Sequence, residues 1–169
     1  SFNRASIFRG YSWHNVHPWE RNGYFWGFNF SRKEQLKTRL LDGLQNRFRL
    51  FSFKQSVFNK FVNKLQKATY IHGYSSAMYE TAKRINSENF KKPLKLKMVK
   101  GTSEKIVESY QNEIKKAFGI KMISEYGAAE TGIMAFECPF GNMHINMEGV
   151  LVEEINNEII VTNLQLKSF

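Results

Sequence analysis

Apolar positions along this chain fall into alternating helical and extended runs. Residues 2 to 16 read as a helix and Gly23 to Phe28 as a strand, and Lys33 to Asn46 then sets Leu36, Leu40, Leu41 and Leu44 on one helical face. Arg47 to Phe51 follows as a short strand. Lys54 to Lys67 returns to helical spacing through Val57, Phe58, Phe61, Val62 and Leu65, and Thr69 to His72 is extended again. Ser75 or Ser76 is placed to cap a helix running to Asn86. A polar loop closes at Pro93, and Leu94 to Val99 reads as a strand. A helix from Glu104 to Phe118 ends at Gly119, a residue suited to the left-handed position beyond a helix, and Ile120 to Glu125 is the next strand.

Such alternation implies strands joined in parallel through helices. After Gly132 the period changes: Met143 to Ile145, Val150 to Glu154 and Ile159 to Thr162 are short strands, separated by Gly149 and the turn pair Asn156-Asn157, as antiparallel hairpins require. The expected fold class is α/β. Residues 1–132 form a doubly wound, mostly parallel sheet flanked by helices, and residues 133–169 the start of a small antiparallel β subdomain.

Composition narrows the class. Hydrophobic residues at 42% and charged residues at 24% are those of a folded globular chain, and 15 Phe, 7 Tyr and 3 Trp make its core aromatic-rich. No apolar run approaches the roughly 20 residues that span a bilayer, and a single cysteine, Cys138, excludes an internal disulfide framework, so a cytoplasmic setting is expected. Charge is unevenly placed. Residues 1–120 hold 23 Lys and Arg against 8 Asp and Glu, a balance of +15, and residues 121–169 hold 2 against 7, a balance of −5. A field of that sign attracts nucleic acid, an anionic surface or polyphosphate ligands. Lys91, Lys92, Lys95, Lys97 and Lys100, interleaved with apolar residues, keep open the reading of a non-enzymatic basic module for nucleic acid or an acidic polymer, although no recognised nucleic-acid-binding signature accompanies them.

Chemistry concentrates in Ser124-Glu125-Tyr126-Gly127-Ala128-Ala129-Glu130-Thr131-Gly132. A tyrosine ring can stack a purine, a glycine lets backbone approach a ligand, and a lone carboxylate can hold magnesium on phosphate. In an open parallel sheet this run would lie beyond the carboxyl ends of the strands, where ligands bind. Cys138 and His144 are two of the four ligands that a structural zinc needs, without a Cys-x-x-Cys partner.

The run resembles the Tyr-Gly-x-x-Glu motif of the adenylate-forming superfamily. Together with Tyr70-Ile71-His72-Gly73-Tyr74-Ser75-Ser76, Val99-Lys100-Gly101-Thr102-Ser103-Glu104 and Gly141-Asn142-Met143-His144-Ile145, it looks most like the branch of phenylacetate-CoA ligases and CapK capsular-polysaccharide proteins. That resemblance implies an ATP-dependent ligase that activates a carboxylic acid as an acyl-adenylate and transfers it to CoA or another acceptor, with ATP and Mg2+ as cofactors. It implies that Glu130 is the catalytic, magnesium-binding carboxylate. Gly101, Thr102, Ser103 and Glu104 would line the nucleotide with Glu125, Tyr126, Gly127, Ala128, Ala129 and Thr131, Tyr126 stacking on adenine. Trp26, Phe28, Tyr74 and Ser75 would wall the acid pocket. Ala129 stands where many members carry Thr or Ser against the α-phosphate, with Thr131 displaced in register. The superfamily's Ser/Thr/Gly-rich phosphate loop, its ribose-holding Asp and its C-terminal domain are not in this sequence, so the resemblance implies an internal fragment that does not catalyse alone. Whether the acid belongs to envelope polysaccharide synthesis or to aromatic catabolism stays open.

Overall fold

The structure, a computed structural model, describes residues 2–26, 31–93 and 95–165. In chain order the elements are α1 (Phe2–Trp13), β1 (Asn22–Phe25), α2 (Arg32–Leu44), β2 (Arg47–Arg49), α3 (Gln55–Leu65), β3 (Tyr70–Tyr74), α4 (Ser75–Ser87), β4 (Met98–Thr102), α5 (Glu108–Phe118), β5 (Met122–Ala128), β6 (Gly132–Glu137), β7 (Met143–Ile145), β8 (Val150–Ile155) and β9 (Glu158–Asn163). Seven strands form one sheet in the order β2-β1-β3-β4-β5-β6-β7, and β8 and β9 pair separately. The first five of that order run parallel, whereas β6 and β7 are added antiparallel. The expected α/β fold, mostly parallel and flanked by helices with a small antiparallel piece, is what forms.

Alternation along the strands sorts two cores. Phe25, Phe48, Ile71, Val99 and Met122 point to one face, where they pack with Phe58, Phe61, Val62 and Leu65 of α3, Met78, Ala82 and Ile85 of α4, and Ile114, Ala117 and Phe118 of α5. Tyr70, Met98, Ile123 and Phe136 point to the other, against Tyr11 of α1 and Val16. Right-handed crossovers account for the first face: the steps from β2 to β3, β4 and β5 run the same way along the sheet and put α3, α4 and α5 on one side, while α1, which precedes β1, covers the other. α1 lies close because residue 10 is glycine; a Cβ there would fall 2.6 Å from the Phe136 ring. Gly119 ends α5 at φ +81, as expected. Asn156 and Asn157 at φ 55 and 64 close the β8–β9 hairpin with both central residues left-handed.

Four expectations need correction. Leu36, Leu40, Leu41 and Leu44 share a helical spacing but are 64%, 69%, 51% and 87% exposed. Helical period tells which side chains share a face, whereas cover depends on what another element brings to it. Neither Ser75 nor Ser76 is the N-cap of α4. Tyr74 holds that position without a side-chain bond, and the Glu104 carboxylate reaches over to accept from Ser76 N at 2.7 Å and Ser76 Oγ at 2.9 Å. β4 starts at Met98, with Lys95 to Lys97 outside it, and runs on to Thr102; Leu94, the expected start, lies outside the described residues. β5 does not stop at Glu125 but continues to Ala128, because β6, unforeseen as a strand, pairs with it. Among the described residues no helix is long and apolar enough to cross a membrane.

Phe58 is fully buried in the larger core. Phe58→Ala is expected to cost about 3–5 kcal/mol in urea unfolding, and Leu44→Ser, at an exposed position, less than about 0.5 kcal/mol.

Candidate nucleotide site at the rim of β4 and β5

Strand order 2-1-3-4-5 puts the topological switch between β1 and β3, and the carboxyl ends of the parallel strands form one rim. Beyond β4 the chain turns through Ser103, held at φ 66, and Glu104 is tied to the first turn of α4 as described. β5 changes partner along its length. Its first half pairs parallel with β4 through Met122, Ile123 and Ser124, and its second half pairs antiparallel with β6 from Glu125 onward, with a bulge between Tyr126 and Gly127. Two side chains satisfy the backbone where the change occurs. Gln111 donates to Met122 O at 2.7 Å and accepts from Met122 N at 2.9 Å, and Glu137 accepts from Ser124 N at 2.7 Å.

A cavity of about 550 Å3 opens at this junction, lined among others by Ser103, Glu104, Ile106, Gln111, Ser124 and Tyr126. Glu125 and Gly127 also reach its wall. The two runs that the sequence singles out, separated by about twenty positions, therefore meet at one hollow. Tyr126 is 46% exposed and also borders a neighbouring apolar groove between β5–β7 and the β8–β9 hairpin. Gly101 and Thr102 lie within β4 and Ala128 within β5, outside the lining of this cavity. Ala129, Glu130 and Thr131 form the turn between β5 and β6, the first two exposed and Thr131 half-buried. The Glu130 carbonyl accepts from Asn163 Nδ2 at 3.1 Å, which ties the turn to β9, while its carboxylate has no partner among the described residues. Thr131 Oγ1 is buried with no hydrogen-bond partner among them.

The opposite face of the sheet carries a buried polar row that sequence reasoning missed. Lys100, 4% exposed, pairs with Glu125 Oε2, and Thr102 Oγ1 donates to Glu125 Oε1 at 3.2 Å. Glu125 thus gives its backbone to the cavity wall and its carboxylate to Lys100. Because Lys100 is spent in this pair, it is withdrawn from the basic stretch read as a polyanion-binding surface. Lys97 Nζ donates to Asn15 O. The signal was present in the parity: Lys100 shares the sheet face of Met98, a core position, and not that of Lys97.

Next in the row, His72 stacks on Tyr24 at 4.5 Å and donates from Nε2 to Asn22 Oδ1 at 3.3 Å, since Asn22 already uses its Nδ2 on Glu20 O. Burial, and then the positive charges of Lys100, Arg47 and Arg49, hold the His72 pKa well below its ordinary 6.5. The column continues toward the switch point, where Trp26 and Tyr74 stack at 4.1 Å with planes 11° apart. Ser75 is fully buried beside Gly101, and its Oγ has no partner among the described residues. The structure therefore brings Trp26 and Tyr74 together and turns Ser75 inward; Phe28 lies outside the described residues. Among those residues no three His, Cys, Asp or Glu side chains converge as a metal site; Cys138 is buried, and the His144 ring meets Trp13 edge-on at 5.1 Å.

No protein-family model and no curated protein matches the sequence. Solved structures do match the fold. The chain is similar to apo MatB from Rhodopseudomonas palustris, with a TM-score of 0.62, 13% identity, and coverage of 96% of this chain and 35% of that one. It is similar to an open conformation of 2-hydroxyisobutyryl-CoA ligase in complex with 2-HIB-AMP and CoA, with a TM-score of 0.65, 16% identity, and coverage of 92% and 38%. It is also similar to the amide bond synthetase McbA from Marinactinospora thermotolerans, with a TM-score of 0.65, 14% identity, and coverage of 96% and 36%. The likeness is one of fold, and the chain spans little more than a third of the length of each.

His72 makes stability pH-dependent in a defined direction. The unfolded chain protonates this ring below 6.5 while the folded chain resists, so its contribution is intact above that value and is lost as pH falls. Between pH 6.5 and 5.5, urea unfolding of the wild type should lose about 1 kcal/mol more than that of His72→Gln.

Proposed function

We propose that this chain is the nucleotide-holding part of an ATP-dependent ligase that converts a carboxylic acid into an acyl-adenylate and passes the acyl group to CoA or another acceptor. The observation that carries this reading is the cavity at the carboxyl rim of β4 and β5, bordered by both the 103–106 and the 124–127 segments. Its fold is that of part of several ligases, one of them captured with an acyl-AMP and CoA. The activity of the whole protein, its acid and its acceptor are part of the proposal.

In this reading the adenine enters the cavity, with the exposed Tyr126 ring against its face and Ser103 and Glu104 along its edge, while Gly101 and Thr102 support that edge from within β4. Gly127, at the bulge, lets β6 approach, since a Cβ there would fall 2.6 Å from Gly132 O, and its backbone borders the cavity; Ala128, Ala129 and Thr131 shape the turn that approaches the phosphates. Glu130, whose carboxylate is exposed and unengaged among the described residues, fits the need of Mg2+ for a hard oxygen ligand alongside phosphate. Bound there, the ion would supply charge neutralisation on the phosphates. The acid's carboxylate oxygen attacks the α-phosphorus, forming the acyl–phosphate bond as the bond to pyrophosphate breaks. Preorganised donors stabilise the charge that builds there. Ala129 offers no hydroxyl, and that of Thr131 is enclosed, so the α-phosphate takes no side-chain hydroxyl from this turn.

The stacked rings of Trp26 and Tyr74 at the ends of β1 and β3 supply a flat wall for the acyl group; Ser75, buried beside Gly101, and Phe28, outside the described residues, are assigned to the pocket from the sequence motif alone. Motif order favours the phenylacetate-CoA ligase and CapK branch, in which an aromatic acid or an envelope-polysaccharide acid would be activated.

The test is pyrophosphate exchange in the complete enzyme. Glu130→Gln should lower exchange by at least about 100-fold with an unchanged melting curve, and Tyr126→Ala should mainly raise the KM for ATP. Undiminished exchange in Glu130→Gln would remove its proposed metal role.

A further inference from the structure

A second cavity, of about 490 Å3, lies at the β2 edge of the sheet, between α2 and α3. β1 and β3 stand between it and β4, so at the usual strand spacing it is roughly 15 Å from the nucleotide rim. Arg39, Arg47, Arg49, Lys60 and Lys64 line it, with Asp42 as its single acid. That acid is already engaged. Asp42 accepts from Arg49 Nε and Nη2 at 2.9 Å each, and Arg47 Nη1 stands 3.9 Å from the same carboxylate.

Five cations against one carboxylate leave a balance of +4 around one hollow. Lys60 and Lys64 sit one turn apart on α3, a spacing at which like charges repel, and neither has an acidic partner among the described residues. Ser56, one turn earlier, adds a hydroxyl to the same stripe. From across the cavity Arg39 extends over the Phe51 ring at 5.3 Å, which orients its guanidinium without neutralising it. Among the described residues that line the cavity, Asp42 is the only acid set against this charge.

We propose that this cavity binds a small molecule bearing a diphosphate or longer phosphate chain, at a site distinct from the nucleotide cavity. A compact ligand with several negative charges matches the +4 balance, and forked guanidinium donors with mobile ammonium groups are the side chains that grip phosphate. An extended acidic chain fits less well: β2 is three residues long and is closed off by α2 and α3, which leaves little edge for an added strand.

Calorimetric titration of the chain with inorganic pyrophosphate, at low ionic strength and without magnesium, tests the assignment. Saturable binding at one site is expected. Lys60→Gln/Lys64→Gln should weaken it about tenfold or more, while Lys115→Gln/Lys116→Gln, an equal charge change on exposed positions of α5, and Tyr126→Ala should leave it within about twofold. Four results would overturn the proposal: no saturable binding, equal weakening by the two lysine pairs, loss of binding in Tyr126→Ala, or tighter binding of a polyglutamate peptide than of pyrophosphate, which would assign the cavity to an acidic partner chain.

Discussion

The partner change of β5 is the constraint on which the rest of the molecule depends. The strand pairs parallel with β4 only up to Ser124 and antiparallel with β6 only from Glu125 onward, so each half of it has backbone groups on one edge without a strand partner. Gln111 and Glu137 take over the orphaned backbone groups of Met122 and Ser124, and the Lys100–Glu125 pair clamps β5 to β4 from the other face. In so poorly solvated a place either charge alone would be costly, so the two are held to each other. The bulge that follows turns Tyr126 outward at the cavity mouth.

This joint also links the two faces of the sheet. On one, α3, α4 and α5 close an apolar core that holds the parallel strands rigid. On the other, α1 covers an aromatic cluster, and beside it runs the polar row from Lys100 through His72 and Tyr24 to Arg47 and Arg49. Burial first, and then the cationic neighbours of His72, disfavour a proton on its ring, so the ring adds no charge to the row around neutral pH. Such a row specifies register more strongly than an apolar one, because a slip of one residue would bury charges without partners.

Much of this was legible beforehand, and the failures share one cause. Periodicity located α3, α4, α5 and the parallel strands, Gly119 marked a helix end, and Asn156-Asn157 marked a hairpin, since each signal is local. The runs around residues 101 and 126 were readable as chemistry for the same reason. Long-range partners were not: Glu104 capping α4 from 28 residues away, Glu137 serving Ser124, and Lys100 turning from a presumed surface to Glu125. The leucines of α2 failed in the opposite sense, because an apolar stripe says nothing about what covers it.

By itself the sequence determined most of the helices and the parallel strands, though not β6, the sign of the field over the first 120 residues, and the chemical repertoire of the runs at 101–104 and 124–132. Those follow from the intrinsic geometry of each side chain and its near neighbours. Tertiary structure alone decided that the two runs share one hollow, that Glu125 faces Lys100, and that five cations gather at the β2 edge. Strand order and crossover handedness set those meetings, and both are properties of the packed sheet as a whole.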